Sequence, residues 1–287
     1  MIRFSLYNPV TGNFSNIPDL TPGYAYYSWD SIIGFGYDSK SDDYKIFCSV
    51  PQKERDIDDY NKPIKSWVYS SKNNSWRIIQ PPPPHHRCGF KPKMVLYNNA
   101  LHWLVGNNII FSFDLATEEY DQISQPNYDS NDKVFHSREL ANLRGYLHLV
   151  EYNITYENDP PEIHEYVMRI WAMGSNQSWV KLIHCLSLKQ VVEREMKRHR
   201  TLGKKVLTYH YPFMYSPPLP YAYSENEDEI LMVLGGRTFV NCDVRSGELK
   251  RVESCSLPDG WKDPGYLYDV IPWIGSFVLP STSRLCL

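Results

Sequence analysis

An all-β chain, arranged as a β-propeller-like array of antiparallel four-stranded sheets, is predicted by three observations. Aromatic residues make up 14% of the 287, led by 22 tyrosines, and aromatic enrichment favours strands over helices. A strand–turn–strand unit recurs along the chain. A second, different hairpin recurs between its copies, and two alternating hairpins make one four-stranded sheet after another. Unequal spacing between copies leaves a twisted β-sandwich as the alternative.

The first unit runs from a short strand through a polar turn to a bulky residue that opens the next strand. Its copies are Ser5–Phe14, Trp67–Trp76, Phe111–Tyr120, Arg169–Trp179 and Phe239–Leu249. Gly, Asn, Ser or Thr stands where each hairpin must reverse, because these residues tolerate turn conformations. Phe14, Trp76, Tyr120, Trp179 or Leu249 follows the turn and is expected to pack on the layer beneath. The second hairpin reads Ile32–Asp38 with Tyr44–Phe47, then Lys93–Leu104, then Glu139–Leu149, and more weakly Leu219–Tyr223 with Glu229–Leu234. Four complete units are therefore expected over 32–79, 93–123, 137–183 and 219–252. The copy at 4–17 has no second hairpin ahead of it, and Gly265–Ile271 reads as a strand without an outer partner. Those two leftovers are expected to share one closing sheet, which would remove exposed edges. Leu188, Val191, Val192 and Met196 have helical spacing, so one short inserted helix is expected within Leu188–Lys205. Its basic end, Lys197–Arg200 with Lys204 and Lys205, suits a helix C-terminus.

One β-rich domain over 1–287 is the expectation from length, since all-β domains of this size are common. A hydrophobic content of 42% supplies a sizeable core, and 22% charged residues argue against disorder. A net charge of −3 leaves no global nucleic-acid footprint. No apolar run approaches the roughly 20 residues of a spanning helix, so no membrane partner is expected. Met1 to Phe4 enters a strand-like segment without a leader pattern, and the six scattered cysteines form no C-x-x-C pair. They read as free thiols of the cytoplasm or nucleus.

Several phrases carry a family resemblance. Leu6-Tyr7-Asn8-Pro9-Val10-Thr11-Gly12 and Gly34–Lys45 resemble the plant F-box-associated domain, which is F-box/kelch-like and S-locus F-box-like. Ala100–Leu104, Ile109–Glu119 and Ile170–Trp171 through Ser178–Leu182 continue the resemblance in order over most of the chain. It implies a protein-binding module that selects the target of a Skp–cullin–F-box ubiquitin ligase, not an enzyme, with no cofactor. The family's F-box, which binds the Skp adaptor, and its usual first inner strands are not seen before Leu6. Skp binding is thus expected only where an F-box lies upstream. A truncated, non-functional paralogue and a carbohydrate-binding or glycosidase-like propeller are the alternatives.

Catalytic and metal readings are weaker than structural ones. His85, His86 and Cys88 follow a run of four prolines, but their spacing fits no usual zinc pattern. His184 and Cys185 are adjacent on a strand and so point to opposite faces. His102 and His148 recur at one position, which suggests packing or a hydrogen bond to a neighbouring loop. Asp42-Asp43, Asp56-Asp58-Asp59, Glu118-Glu119 and Glu225-Glu229 fall in turns, where charge stays solvated, rather than converging as a glycosidase pair. No catalytic, metal or cofactor residue is assigned. Target binding is expected on loops at one rim. The candidates are Tyr24, Tyr26, Tyr27 and Trp29 in 19–30, Arg55, Asp58 and Tyr60 in 50–63, Tyr128 in 128–134, the loop 152–161, and Tyr211 and Phe213 in 209–220.

Overall fold

A computed structural model describes residues 4–8, 10–20, 31–51, 64–83, 93–105, 109–126, 137–157, 162–174, 178–187, 219–234 and 238–252. They form eighteen strands: β1 (Ser5–Tyr7), β2 (Phe14–Asn16), β3 (Ile32–Asp38), β4 (Asp43–Pro51), β5 (Ile64–Ser70), β6 (Ser75–Ile79), β7 (Val95–Tyr97), β8 (Ala100–Val105) and β9 (Ile109–Asp114). β10 (Tyr120–Ile123), β11 (Ser137–Leu143), β12 (Tyr146–Glu157), β13 (Glu162–Met173), β14 (Trp179–Ser187), β15 (Leu219–Tyr223), β16 (Glu229–Leu234), β17 (Thr238–Asp243) and β18 (Leu249–Arg251) complete the series. Every pairing is between chain neighbours and antiparallel, giving β1-β2 and the four-stranded sheets β3–β6, β7–β10, β11–β14 and β15–β18. The propeller-like array of four-stranded sheets is thus present, and its boundaries fall within a few residues of those expected. The expected helix and the strand at 265–271 lie outside the described residues.

Two compact units divide the described residues, one within Met1–Gln125 and one within Pro126–Pro272. In the first, β3 packs beside β7 and β8. Gly34 and Gly36 make that approach possible. A Cβ on Gly34 would stand 2.6 Å from Met94 Sδ and 2.8 Å from Leu101 Cδ1. One on Gly36 would stand 2.7 Å from Leu115 Cδ1 and 2.8 Å from Leu96 Cδ1. The core between these sheets joins Ile32, Phe47 and Val68 to Leu101, Trp103, Phe111 and Phe113. The opposite face of β3–β6 carries Ile46, Cys48, Val50, Trp67 and Tyr69, capped by Phe4, Leu6, Ile17 and Leu20 from the β1–β2 hairpin.

The second unit repeats the plan. β11 packs beside β15, and one core unites Val150, Tyr152, Met168 and Ile170 with Ile230, Met232, Val240 and Cys242. Tyr152 to Glu157, expected as loop, is instead strand: β12 pairs with β13 as far as Glu157 against Glu162. The pairing itself explains this correction, because β12 and β13 serve as each other's backbone partners, and both faces of β12 are buried at its start, through Leu149 and Glu151 on one and Val150 and Tyr152 on the other. Val50, Leu219 and Pro220, expected at loop margins, likewise belong to β4 and β15. Leu20 at the edge of 19–30 is buried at 2% exposure.

The bulky residue after the turn packs as expected at Trp76, Tyr120 and Leu249, the last against the core of the second unit, and not at Phe14. Trp76 packs on Phe4 and donates from Nε1 to Pro18 O at 2.7 Å. Tyr120 packs on Phe47 and donates to Gln80 O at 2.9 Å. Both reach back to the carbonyl just beyond the preceding outer hairpin. Phe14, at the same place in β1–β2, is 58% exposed.

Candidate functional site

An antiparallel meander sorts its connections by end. In each four-stranded sheet, the first-to-second and third-to-fourth turns lie at one end. The second-to-third connection and the links to neighbouring sheets leave from the other. For β3–β6 the tight end holds residues 39–42 and 71–74, while 52–63 and the links before β3 and after β6 leave from the opposite end. The same sorting holds for the other three sheets.

The tight end is locked by local chemistry. Asn8 Oδ1 accepts from Val10 N at 2.9 Å and Thr11 N at 3.3 Å. Asp114 Oδ1 accepts from Ala116 N and Thr117 N at 2.7 and 2.8 Å. Asp243 Oδ1 accepts from Arg245 N and Ser246 N at 3.0 and 2.7 Å. These bonds, led by the Ser246 backbone bond, hold the Asp243 carboxyl below its ordinary pKa. Each is the side-chain mimic of a backbone turn. Four residues past each opener the backbone turns left-handed, at Gly12 (φ 71°), Glu118 (φ 61°) and Gly247 (φ 71°). Asn74 (φ 46°) stands four past Ser70, whose Oγ accepts from Asn73 N at 3.2 Å. The recurring turn is therefore one geometry with Asn, Asp or Ser as interchangeable openers.

Ionic networks reinforce this end. Buried Asp38 accepts from Lys45 Nζ at 3.0 Å, Ser41 Oγ at 2.5 Å, Asn99 Nδ2 at 3.1 Å and Lys40 N at 3.0 Å. Burial alone would raise its pKa, but the four donors outweigh it and hold the carboxyl well below the usual range. Lys45 also donates to Leu115 O and lies 3.7 Å from Glu118, which pairs with Arg77. Asp43 is buried and accepts from Ser70 Oγ, Ser71 Oγ and Lys72 N at 2.6, 2.8 and 2.9 Å. In the second unit, Arg144 donates to Ser224 O and Glu225 O and pairs with Glu227 at 2.5 Å. Asp42, Glu118, Glu119, Glu225, Glu227 and Asp228 lie in turns, Asp43 and Glu229 open strands, and Asp56, Asp58 and Asp59 lie outside the described residues. Asp43 and Glu118, however, are not solvated: Asp43 binds three donors at the end of β5, and Glu118 pairs with Lys45 on β4 and Arg77 on β6.

His102 and His148 share one structural role. Each ring Nδ1 lies by the carbonyl two residues earlier, at 3.0 Å from Ala100 O and 2.9 Å from Tyr146 O. His148 Nε2 lies 3.1 Å from the Tyr223 hydroxyl on β15. Burial lowers the pKa of both, His102 to about 4, and raises Tyr223 to about 12. Cys48 and Cys242 are buried free thiols, each pushed up by burial to about 12. Such thiols are inert rather than nucleophilic.

One buried cluster was not legible in the sequence. Glu151 Oε1 lies 2.9 Å from Arg138 Nε, and Glu151 Oε2 lies 2.8 Å from both Arg169 Nε and Trp171 Nε1. Arg169 and Lys181 stand over the Trp171 ring at 5.4 and 4.8 Å. The cross-strand register Arg138↔Glu151↔Arg169 makes this cluster, so only knowledge of the register could have found it.

The ten expected binding residues, Tyr24, Tyr26, Tyr27, Trp29, Arg55, Asp58, Tyr60, Tyr128, Tyr211 and Phe213, all lie outside the described residues. So do His85, His86, Cys88 and the side chains of His184 and Cys185. Every connection that carries the ten leaves from the end opposite the tight turns. Among the described residues, no group of three or more His, Cys, Asp or Glu is placed to hold a metal.

Comparison with known proteins sets these features in a family. Residues 1–209 match the F-box associated beta propeller domain. F-box protein CPR1 of Arabidopsis thaliana is 28% identical over 284 residues, covering 88% of this chain and 60% of that protein. A putative F-box protein of the same plant is 32% identical over 130 residues, covering 42% of this chain and 33% of its own. An Arabidopsis F-box/kelch-repeat protein is 26% identical over 167 residues, covering 55% and 41%. The chain thus spans about 60% or less of the length of these curated relatives.

Proposed function

The chain belongs to the F-box associated beta propeller domain family, and on that premise we propose that it is the target-recognition module of a Skp–cullin–F-box ubiquitin ligase. The family match over residues 1–209 carries this reading. The sorting of connections supports it. Recognition by variable loops on a rigid scaffold needs one end of the sheets fixed and the other free to vary in sequence. The turn network at Asp38, Asp43, Asn99 and Glu118 fixes one end. The long connections, rich in Tyr and Trp, leave from the other, and such residues are frequent interface anchors.

In this role the chain binds protein and performs no chemistry itself. It works in the cytoplasm or nucleus, and the Skp adaptor is engaged only where an F-box lies in the same polypeptide. Proximity labelling in plant cells tests the reading. The wild-type chain should label a protein whose abundance rises when the gene is silenced. A Tyr24→Ala/Tyr26→Ala/Tyr27→Ala/Trp29→Ala variant should lose that labelling while keeping its Tm. Equal labelling by the variant would move the site off this loop. No protein dependent on the chain for its turnover would sink the reading.

A further inference from the structure

The longest strand pair of the second unit outruns the sheet that contains it. β11 first pairs with β12 at Ser137↔Tyr152, and β14 last pairs with β13 at Val167↔Ser187. β12 and β13 continue past both, through Ile154↔Tyr166, Thr155↔Glu165, Tyr156↔Ile163 and Glu157↔Glu162. In β3–β6 the corresponding overrun is only Val50↔Lys65 and Pro51↔Ile64. Among the described residues, 154–157 and 162–166 thus form a two-stranded ribbon about 13 Å long, at the end from which the long connections leave. A lone ribbon of this size is marginal in water, and a third strand beside it stabilises such a pair.

The two edges of the ribbon differ. The register slips between Thr155 and Tyr156 because β13 inserts His164 there, and a bulge bends and blunts the strand that carries it. β12 carries no inserted residue. Arg144 and Gly145 close β11–β12 as a two-residue turn with both φ positive, 51° and 79°, so Leu143↔Tyr146 is a hydrogen-bonded pair. Counting on by twos, the even-numbered residues of β12 turn N–H and C=O toward β11. Ile154 and Tyr156 present theirs beyond the point where β11 begins.

The ribbon sequence is two-sided. Ile154, Tyr156, Ile163 and Tyr166 occupy positions that continue the face of Val150, Tyr152, Met168 and Ile170, the core face of this sheet. Thr155, Glu157, Glu162 and Glu165 occupy the other face. The register sets Glu157 directly opposite Glu162, a like-charge pair that destabilises a ribbon until a cation from elsewhere joins it.

We infer that the open edge of β12 at residues 154–157 is a docking site for the target protein, which adds one of its own extended segments there as a third strand. The segment alternates apolar and basic residues. Its apolar residues share the face of Ile154 and Tyr156, and its Lys or Arg residues share the face of Glu157, Glu162 and Glu165. Main-chain hydrogen bonds supply the affinity of such an added strand, and the alternation supplies its selectivity. This docking mode rests on the reading of the chain as a target-recognition module and adds the class of target.

The test uses the 287-residue chain and capped synthetic peptides of about eight residues, enough for one strand. A peptide alternating valine and lysine should bind at least about tenfold tighter, by fluorescence anisotropy, than one of the same composition with its valines and lysines in two blocks. On binding, amide exchange should slow at Ile154 and Tyr156 and stay unchanged at Asn153, which the same count turns toward β13. Glu157→Lys/Glu162→Lys should transfer the preference to a peptide alternating valine and glutamate. Glu157→Gln/Glu162→Gln, which keeps side-chain size, should hold Tm and lose the preference for lysine. Equal binding of the alternating and blocked peptides means charge attraction alone and overturns the docking mode. So does exchange at Ile154 and Tyr156 that is already slow in the free chain, since the edge is then filled from within. Target labelling that survives Glu157→Lys/Glu162→Lys overturns it too and leaves the recognition reading standing. A chain on which no protein depends for turnover loses that reading even where the peptides bind.

Discussion

Replacing Gly36 with alanine asks whether the approach of β3 to the next sheet is set by the absence of one carbon. Elsewhere in a strand the change should stabilise, because glycine costs about 0.5–1 kcal/mol in lost backbone freedom. Here the added Cβ would meet Leu115 Cδ1 at 2.7 Å and Leu96 Cδ1 at 2.8 Å. Leu115 is fully buried, so it cannot swing into solvent. Overpacking of this kind costs about 1–3 kcal/mol, which exceeds the entropic gain. The net expectation is a loss of about 1–2 kcal/mol, read as a Tm drop of about 4 °C in a domain of this size. A double-mutant cycle sharpens the reasoning. Leu96→Ala alone should cost about 2 kcal/mol, since Leu96 is only partly buried. Combined with Gly36→Ala it removes one of the two clashing methyls, so the pair should cost at least about 0.5 kcal/mol less than the sum. Calorimetry on the four proteins measures this. A Gly36→Ala variant that melts at or above the wild-type temperature would refute the steric argument, and strict additivity would refute the named contact.

Other expectations follow from the turn end and the buried charges. Glu118 holds φ 61° without being glycine, so Glu118→Gly should be about 1 kcal/mol more stable than Glu118→Ala by denaturant titration, although both lose the Lys45 and Arg77 pairs. Asp38→Asn leaves Lys45 buried with a weakened partner and should cost about 3 kcal/mol. Because the folded carboxyl titrates below its unfolded value of about 3.9, its contribution is present above that pH and lost as pH falls, so the variant should show a flatter acid limb in denaturant midpoint against pH. His102 is held neutral, with its folded pKa at about 4 against about 6.5 unfolded. Its contribution is therefore complete above about pH 6.5 and falls by about 3 kcal/mol on acidification to pH 4, which NMR titration of the ring would follow. Glu151→Gln should cost at least about 3 kcal/mol, seen as a large fall in the urea midpoint, because Arg138 and Arg169 lose their carboxylate.

The alternation of two hairpins was readable because each element has a local cause. Strand alternation is a two-residue period, and the outer turns share one Asx-type geometry that Asn8, Asp114 and Asp243 each close with their own backbone neighbours. The networks were harder because their partners are remote. Asn99 meets Asp38 from 61 residues away, and Arg169 meets Glu151 only through strand register. The misreading of Asp43 and Glu118 as solvated charges has the same origin. A turn carboxylate in a lone hairpin is exposed, but a third strand brings Ser71 onto Asp43, and a second sheet brings Lys45 and Arg77 onto Glu118. The extent of β12 and β13 was missed for another reason. Asn153 and the acidic residues that follow read as loop by composition, yet twelve-residue strands form because each has the other as partner.

The distribution of carboxylates bears on the enzymatic alternative. A glycosidase needs two carboxyl groups facing one cavity, about 5–9.5 Å apart, with one kept available for proton transfer. In the first unit, Asp38, Asp43, Asp114 and Glu118 are each engaged by at least two donors or cations of the fold. Removing any of these donors to free a carboxylate would open a turn that also fixes the neighbouring sheet. The chemistry that holds the tight end together therefore competes directly with use of the same groups as acids or bases. A binding module of the kind proposed has no such conflict, because the long connections leave from the far end of the same strands and can vary in sequence without touching the network.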